Sequence, residues 1–101
     1  MSPTQLSLRK LREEGYLAYV VERWNQWARI RQDLWGFDVI GCKRNEIVLV
    51  QATSASNLSA RVRKVGDLDT TPQLREAGFK LLCWGWKKVK NRWTVVERDV
   101  S

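Results

Sequence analysis

The feature that most constrains this chain is a run of four apolar residues, Ile47-Val48-Leu49-Val50. A strand that is apolar on both faces is typical of the middle of a sheet covered on both sides. The preceding segment, Lys43-Arg44-Asn45-Glu46, is polar and typical of a hairpin turn. We therefore predict a central strand at 47–53, paired through this turn with a strand at 37–42.

Local signals predict the other elements. Ser2-Pro3-Thr4-Gln5 has the composition of a helix start, with a capping serine, an early proline and a capping-box glutamine, and Gly15 ends that helix. The segment from Trp24 to Asp33 has no clean period and is predicted to be a loop. The remaining predictions are a strand at 16–21, helices at 57–66 and 71–77, and strands at 79–86 and 93–98 joined by a basic turn at 87–92.

The resulting order, α-β-β-β-α-(α)-β-β, predicts an α/β fold with a mixed sheet flanked by helices and a C-terminal β-hairpin. With 101 residues and no linker or internal repeat, we expect a single domain over 1–101. Cys42 and Cys83 each lie within a predicted strand, so we expect both to be buried core residues that form no disulfide. Free thiols are typical of a reducing cytoplasm. A chain of this length has a small core, and a homodimer interface is another way to bury its tryptophan side chains.

Composition excludes several classes of function. The chain has no histidine, which rules out Ser-His-Asp triads, Cys-His dyads and histidine-ligated zinc. No apolar run approaches the roughly 20 residues that span a bilayer, and the N-terminus lacks the apolar core of a secretory signal. We therefore expect a cytoplasmic protein with no membrane partner and no small-molecule cofactor.

Asp38 is the residue that points most clearly to chemistry. It follows Gly36 in a segment otherwise made of Phe37, Val39 and Ile40. A carboxylate beside a sheet core is unfavourable unless a cation or hydrogen bonds offset its burial. Two interpretations stay open from the local pattern: a functional carboxylate, or an Asp38 placed by strand alternation on an exposed face.

Two segments together resemble a known nuclease superfamily. Gly36-Phe37-Asp38-Val39-Ile40-Gly41, a hairpin, and then Ile47-Val48-Leu49-Val50-Gln51-Ala52-Thr53-Ser54 are similar to the core of the PD-(D/E)xK nucleases. The nearest likeness is to the small archaeal-type Holliday junction resolvases, and it covers roughly 6–86. It implies a restriction-endonuclease-like αβββαβ core in which an aspartate begins the second strand and a Glu/Asp-x-Lys motif ends the third.

The resemblance also implies a site. Asp38 matches the first acidic position, Gln51 stands where the second acid belongs, and Thr53 stands where the lysine belongs. A Mg²⁺ or Mn²⁺ ion would be held by Asp38, with Gln51 as a neutral oxygen ligand. Asp33 or Glu22 could restore a second carboxylate, and Arg61 or Lys64 could restore the cation. The residues near Thr4, where the family has a helical glutamate, are not acidic.

Charge distribution indicates a polyanionic partner. The net charge is +7, from 18 Lys and Arg against 11 Asp and Glu. One basic segment can be an ordinary solvated surface, but three acid-poor basic segments favour a nucleic acid whose binding weakens with salt. These segments are Arg23, Arg29 and Arg31; then Arg61, Arg63 and Lys64; then Lys87, Lys88, Lys90 and Arg92.

The six tryptophans divide into two groups. Trp84, Trp86 and Trp93 fall on predicted strands and are expected to be core residues. Trp24, Trp27 and Trp35 lie in or beside the basic segment before the second strand. Of these, Trp24 and Trp27 lie among polar and basic residues and are candidates for stacking on an unpaired base. Ser54 and Asn57 precede a helix, where they could contact a phosphate or, in the case of Asn57, simply cap that helix.

The sequence thus predicts a DNA-binding, metal-dependent endonuclease acting on branched DNA such as Holliday junctions. The alternative is a DNA-binding accessory protein of the same fold that does not cleave. An RNA or single-strand binder is less well supported, since no RNP-type pattern is present. A compact stand-alone nuclease would suit a phage gene, in which case the compartment is the host cytoplasm.

Overall fold

The computed structural model describes all 101 residues and confirms an α/β fold with a mixed sheet. The helices are α1 (Pro3–Glu13), α2 (Leu58–Asp67) and α3 (Thr71–Glu76), with a 3-10 turn at Ala55–Asn57. The strands are β1 (Leu17–Val20), β2 (Arg23–Asn25), β3 (Ile30–Gln32), β4 (Val39–Lys43), β5 (Glu46–Ser54), β6 (Lys80–Val89) and β7 (Arg92–Asp99).

Five strands form the main sheet, in the order β1-β4-β5-β6-β7. β5 and β6 are parallel and are connected through α2 and α3, whereas every other neighbouring pair is antiparallel. β5 is the central strand, as predicted, and Val48, Leu49 and Val50 are fully buried within it. β6 and β7 form the predicted C-terminal hairpin.

The core has two parts, one on each face of the sheet. Under α1 lie Leu6 and Leu11 against Val48, Val50 and Trp84. On the opposite face, side chains of α2 and α3 pack on β5 and β6, including Leu58, Val65, Leu74, Leu49 and Leu81. Alternate residues of β5 therefore enter different core clusters, which explains the unbroken apolar run. No helix combines the length and apolar character needed to cross a membrane.

The helix starts differ in how they are capped. Ser2 Oγ accepts a hydrogen bond from the Gln5 N–H at 3.2 Å, which confirms the predicted cap of α1. The predicted capping by Asn57 is wrong, because its side chain makes no cap hydrogen bond and the 3-10 turn runs directly into α2. Gly85 in β6 allows this turn to approach, since a Cβ at that position would lie 2.9 Å from Ala55 Cα.

Two predicted connections are wrong. The segment predicted as a loop over 24–33 contains β2 and β3, which pair as a separate hairpin with Trp24 opposite Arg31. Its strands bury neither face, so they have no apolar alternation to reveal them. The turn predicted over 87–92 is only two residues long, because β6 and β7 pair as far as Val89 and Arg92. Its residues, Lys90 and Asn91, both have positive φ.

Two burial predictions are also wrong. Cys42 is exposed, because no helix covers the face of β4 on which it lies. Cys83 is buried as expected, and both thiols are free. Trp84 and Trp86 are core residues as expected, at 1% and 8% exposure. Trp93 is 40% exposed on the hairpin, where the Lys88 Nζ lies 5.1 Å from its ring centroid.

Candidate functional site

Asp38 lies just before β4, beside the carboxyl-terminal half of β5. Its backbone N–H donates to the Val50 carbonyl at 2.9 Å, and its Oδ2 accepts a hydrogen bond from the Ala52 N–H at 2.9 Å. The residue is 7% exposed, so the expectation of an exposed-face aspartate is wrong. The two backbone contacts hold its carboxyl group at the edge of the core.

Burial dominates the titration of this carboxyl group. It raises the pKa of Asp38 from an ordinary value of 3.8 to about 6. The Ala52 N–H and the Arg61 guanidinium act in the opposite direction, while the carboxylates of Glu22 and Asp33 raise the pKa further. Asp38 is therefore a buried acid that lies near other charges but has no ion-pair partner.

Asp38 opens into a cleft of about 460 Å³. Three parts of the chain form its walls: the N-terminus of α1, the segment from Val20 to the β2–β3 hairpin, and the end of β5 with α2. The lining residues are Ser2, Pro3, Thr4, Gln5, Val20, Glu22, Arg23, Trp24, Arg31, Asp38, Ala52, Thr53, Ser54 and Arg61.

Glu22 brings a second carboxylate into this cleft. Its Oε1 lies 2.7 Å from the Arg31 Nη1, and its Oε2 accepts a hydrogen bond from the Thr4 hydroxyl at 2.9 Å. Asp33, the other proposed carboxylate, does not line the cleft with Asp38; it accepts the Gly36 N–H and lines an adjoining cleft of about 780 Å³ that Glu22 also lines. Of the two predicted replacements, Glu22 is the one that shares a cleft with Asp38.

Gln51 is 1% exposed, and both the nitrogen and the oxygen of its side-chain amide form hydrogen bonds within the protein. Its Nε2 donates to the Gly36 carbonyl at 2.5 Å, and its Oε1 accepts from the Arg61 Nη1 at 3.1 Å. Gln51 does not line the cleft, so its side chain positions Arg61 instead of facing the cleft as a ligand. Thr53 does line the cleft, as does Ala52 between them.

Of the two proposed replacement cations, Arg61 is the one that lines this cleft, where Arg23 and Arg31 also lie. It is half-buried and forms no ion pair; the neutral Gln51 amide is its hydrogen-bonding partner. Lys64, the other proposed cation, is exposed and lies outside the cleft, as does Arg63.

The predicted nucleic-acid contacts occupy four places. Arg23, Trp24, Arg31 and Ser54 line the cleft. Trp27 and Arg29 lie towards the exposed tip of the β2–β3 hairpin, outside the cleft. Asn57 is exposed before α2, and Lys87 and Lys88 are exposed on the outer part of β6.

The N-terminus of α1 is the part of the site that sequence reasoning missed. Ser2 and Pro3 mark where the helix begins, but the residues near Thr4 are not acidic and so give no sign of a site. Nothing local reveals that this end of the helix faces Asp38, because α1 reaches the cleft by packing across the sheet.

Comparison of the chain with protein-family models, with curated proteins and with solved structures gives no match in any of the three. The cleft itself combines two carboxylates, two arginines without an ion pair (Arg23 and Arg61) and the start of a helix. At the start of α1, Pro3 has no N–H and the Gln5 N–H is capped by Ser2, so the helix offers the Thr4 N–H to an anion. A guanidinium suits phosphate oxygens. This set of groups can bind a phosphate next to a divalent cation.

Proposed function

We propose that this chain is a restriction-endonuclease-like domain of the PD-(D/E)xK type that binds branched DNA and hydrolyses its phosphodiester bonds with a divalent metal. The main support is that Asp38, Glu22 and Arg61 line one cleft at the end of the central strand. The order of the elements α1, β1, β4, β5, α2 and β6, with β1-β4-β5-β6 adjacent in the sheet, agrees with the αβββαβ core that the resemblance implies.

The donor set suits Mg²⁺ or Mn²⁺. Mg²⁺ commonly binds one or two carboxylates and fills its other positions with water and substrate phosphate oxygens. Asp38 would supply one carboxylate, and Glu22 would supply a second by giving up its ion pair with Arg31 to bind the metal. Such an ion, when bound, polarises the scissile phosphate and lowers the pKa of water.

The chain's own cations and dipoles would act on the phosphate. Arg61, oriented by Gln51, would donate to a phosphate oxygen and stabilise the charge that develops there. Arg23 and the uncapped Thr4 N–H at the start of α1 would contact a neighbouring phosphate on the other side of the cleft. Gln51 thereby has a positioning role, and Arg61 takes over the function of the missing motif lysine.

Metal-dependent cleavage of four-way junction, forked and linear DNA tests this proposal. Wild-type protein should cut with Mg²⁺ or Mn²⁺, and Asp38→Asn should reduce the rate by at least about 100-fold, as removal of a central catalytic group does. Glu22→Gln should also lower the rate. The matched control is Asp67→Asn, an exposed aspartate at the end of α2, which should cut normally.

A DNA-binding accessory protein of the same fold is the second candidate. The observation in its favour is that the second motif acid is replaced by a glutamine whose amide is fully engaged, while Thr53 brings no charge. Binding of DNA without cutting in either metal would support this candidate and contradict the nuclease. A preference for linear duplex over branched DNA would contradict the substrate class alone.

A further inference from the structure

A second, smaller cleft lies beside the Asp38 cleft, on the β2–β3 hairpin. Its volume is about 330 Å³, and its lining consists of Arg23, Trp24, Asn25, Gln26, Trp27 and Gln32. Trp24 is 60% exposed and Trp27 is 91% exposed. Neither indole has an aromatic partner, unlike Trp84 with Trp86 and Trp35 with Phe79.

The hairpin holds these two indoles in a defined arrangement. Trp24 pairs with Arg31 in the β2–β3 ladder. Asn25 Oδ1 accepts hydrogen bonds from the backbone N–H groups of Trp27 and Ala28, at 3.0 and 3.1 Å, which orders the turn that carries Trp27. So much exposed indole on a structured turn is unfavourable in water, which indicates a surface that a ligand covers.

The lining has the chemistry of a nucleobase site. Indole faces stack on bases without regard to sequence, and amide side chains hydrogen-bond base edges. Asn25 uses its oxygen within the turn, which leaves its NH₂ group and the amides of Gln26 and Gln32 for a ligand. Arg23, Arg29 and Arg31 on the same hairpin favour a ligand that also carries phosphates.

Arg23 and Trp24 line both this cleft and the Asp38 cleft. A nucleotide seated on the hairpin would therefore be followed along its strand by a phosphate near Asp38. We propose that the hairpin cleft binds an unpaired DNA base next to the bond that is cut, so that the substrate class is duplex DNA with an unpaired nucleotide at a branch or fork. This inference rests on the proposed function and names its substrate.

The test uses wild-type protein in EDTA, with a forked DNA that carries 2-aminopurine as its first unpaired nucleotide. Stacking on an indole should quench the 2-aminopurine fluorescence on binding. Trp24→Ala or Trp27→Ala should abolish that quenching and weaken fork binding by roughly 5- to 150-fold, the range for loss of one stacking contact. Binding of a fully paired duplex of equal length should change far less, and Trp24→Phe should keep most of the preference for the fork.

Trp93→Ala is the matched control, because Trp93 is an exposed indole on the β6–β7 hairpin, outside this cleft. It should leave the ratio of fork to duplex affinity unchanged. If Trp24→Ala and Trp27→Ala also leave that ratio unchanged while Asp38-dependent cutting persists, the base site is overturned and the proposed function stands. If wild-type protein binds neither DNA, both are overturned.

Discussion

Asp38 combines deep burial with a pKa of about 6. Most buried carboxylates are stabilised by an ion pair or several hydrogen bonds, whereas the Asp38 carboxylate accepts one, from the Ala52 N–H. Arg61 is near enough to lower the pKa but donates to Gln51 instead. The ionised form of Asp38 therefore destabilises the folded chain, as is common for groups poised at functional sites.

Asp38→Asn should stabilise the protein at neutral pH. Because the folded-state pKa lies above the unfolded value of 3.8, the folded chain binds the proton more tightly. The free energy of unfolding therefore falls as the pH rises from about 4 to about 6, by up to about 3 kcal/mol. Chemical denaturation at pH 7.5 should show Asp38→Asn as more stable than wild type, and the difference should disappear well below the unfolded pKa of 3.8, where both states are protonated.

Asp67→Asn serves as the control for this comparison, since Asp67 is exposed on α2. It should change stability little at either pH. An Asp38→Asn variant that is less stable than wild type at pH 7.5 would mean that the native carboxylate has a stabilising partner, contrary to the burial argument.

At the scale of elements, the β6–β7 hairpin has a buried base and an exposed basic end. At its base, Trp86 Nε1 donates to the Ser7 hydroxyl and Trp84 Nε1 donates to the Glu97 carboxylate, both at 2.9 Å. Beyond them the strands continue to Val89 and Arg92 around the two-residue turn. The exposed end carries Lys87, Lys88, Lys90 and Arg92.

Removing charge from this end should change the salt dependence of DNA binding. If Lys87 and Lys88 each contact a phosphate, the double variant Lys87→Ala/Lys88→Ala should lower the slope of log affinity against log salt by about 2. Both residues are exposed, so the thermal midpoint should stay nearly constant. Fluorescence anisotropy titrations at several salt concentrations measure the slope.

Arg44→Gln is a suitable control, because Arg44 is an exposed cation in the β4–β5 turn, at the opposite end of those strands from Asp38. The slope of log affinity against log salt should be the same for Arg44→Gln as for wild type. A double lysine variant with an unchanged slope would show that the β6–β7 hairpin does not contact DNA.

At the scale of the whole molecule, the sheet is covered unevenly. α2 and α3 cover one face over β5 and β6, while the same face over β1 and β4 is left open. There an apolar cleft of about 420 Å³ is lined without any charged residue, and Leu17 and Tyr19 are 78% and 70% exposed. Two copies with a net charge of +7 each would repel across their basic surfaces, so we expect a second copy to pack on this uncharged face.

We expect a homodimer formed through this face, with one Asp38 cleft from each copy available for two strands of a branched DNA. Light scattering after gel filtration should give about twice the mass of one chain. Tyr19→Lys should shift the protein towards the monomer by burying a charge in the interface. Val89→Lys, a change at another exposed apolar residue, should not; a wild-type monomer at high concentration would contradict the prediction.

Much of the fold was predictable because local physics specifies it. The apolar run around Leu49 predicted a central strand, Ser2 and Pro3 predicted a helix start, and apolar, β-branched segments predicted the five strands of the main sheet. Burial on both faces and capping by a nearby side chain leave clear marks in a sequence. The β2–β3 hairpin left no such mark, since its side chains are mostly exposed and its pairing depends on few contacts.

The sequence by itself determined which groups are available to the candidate site: Asp38, the uncharged Gln51 and Thr53, a large excess of cations, and no imidazole. Only the tertiary structure decided which of them meet. Packing of α1 and α2 onto the sheet brings Thr4 and Arg61 to Asp38, and pairing of β1 with β4 brings Glu22 beside it. Asp33 and Lys64 are left outside this cleft. Residues distant along the chain become neighbours only when the core forms, because burying apolar surface, not local sequence preference, brings the helices onto the sheet.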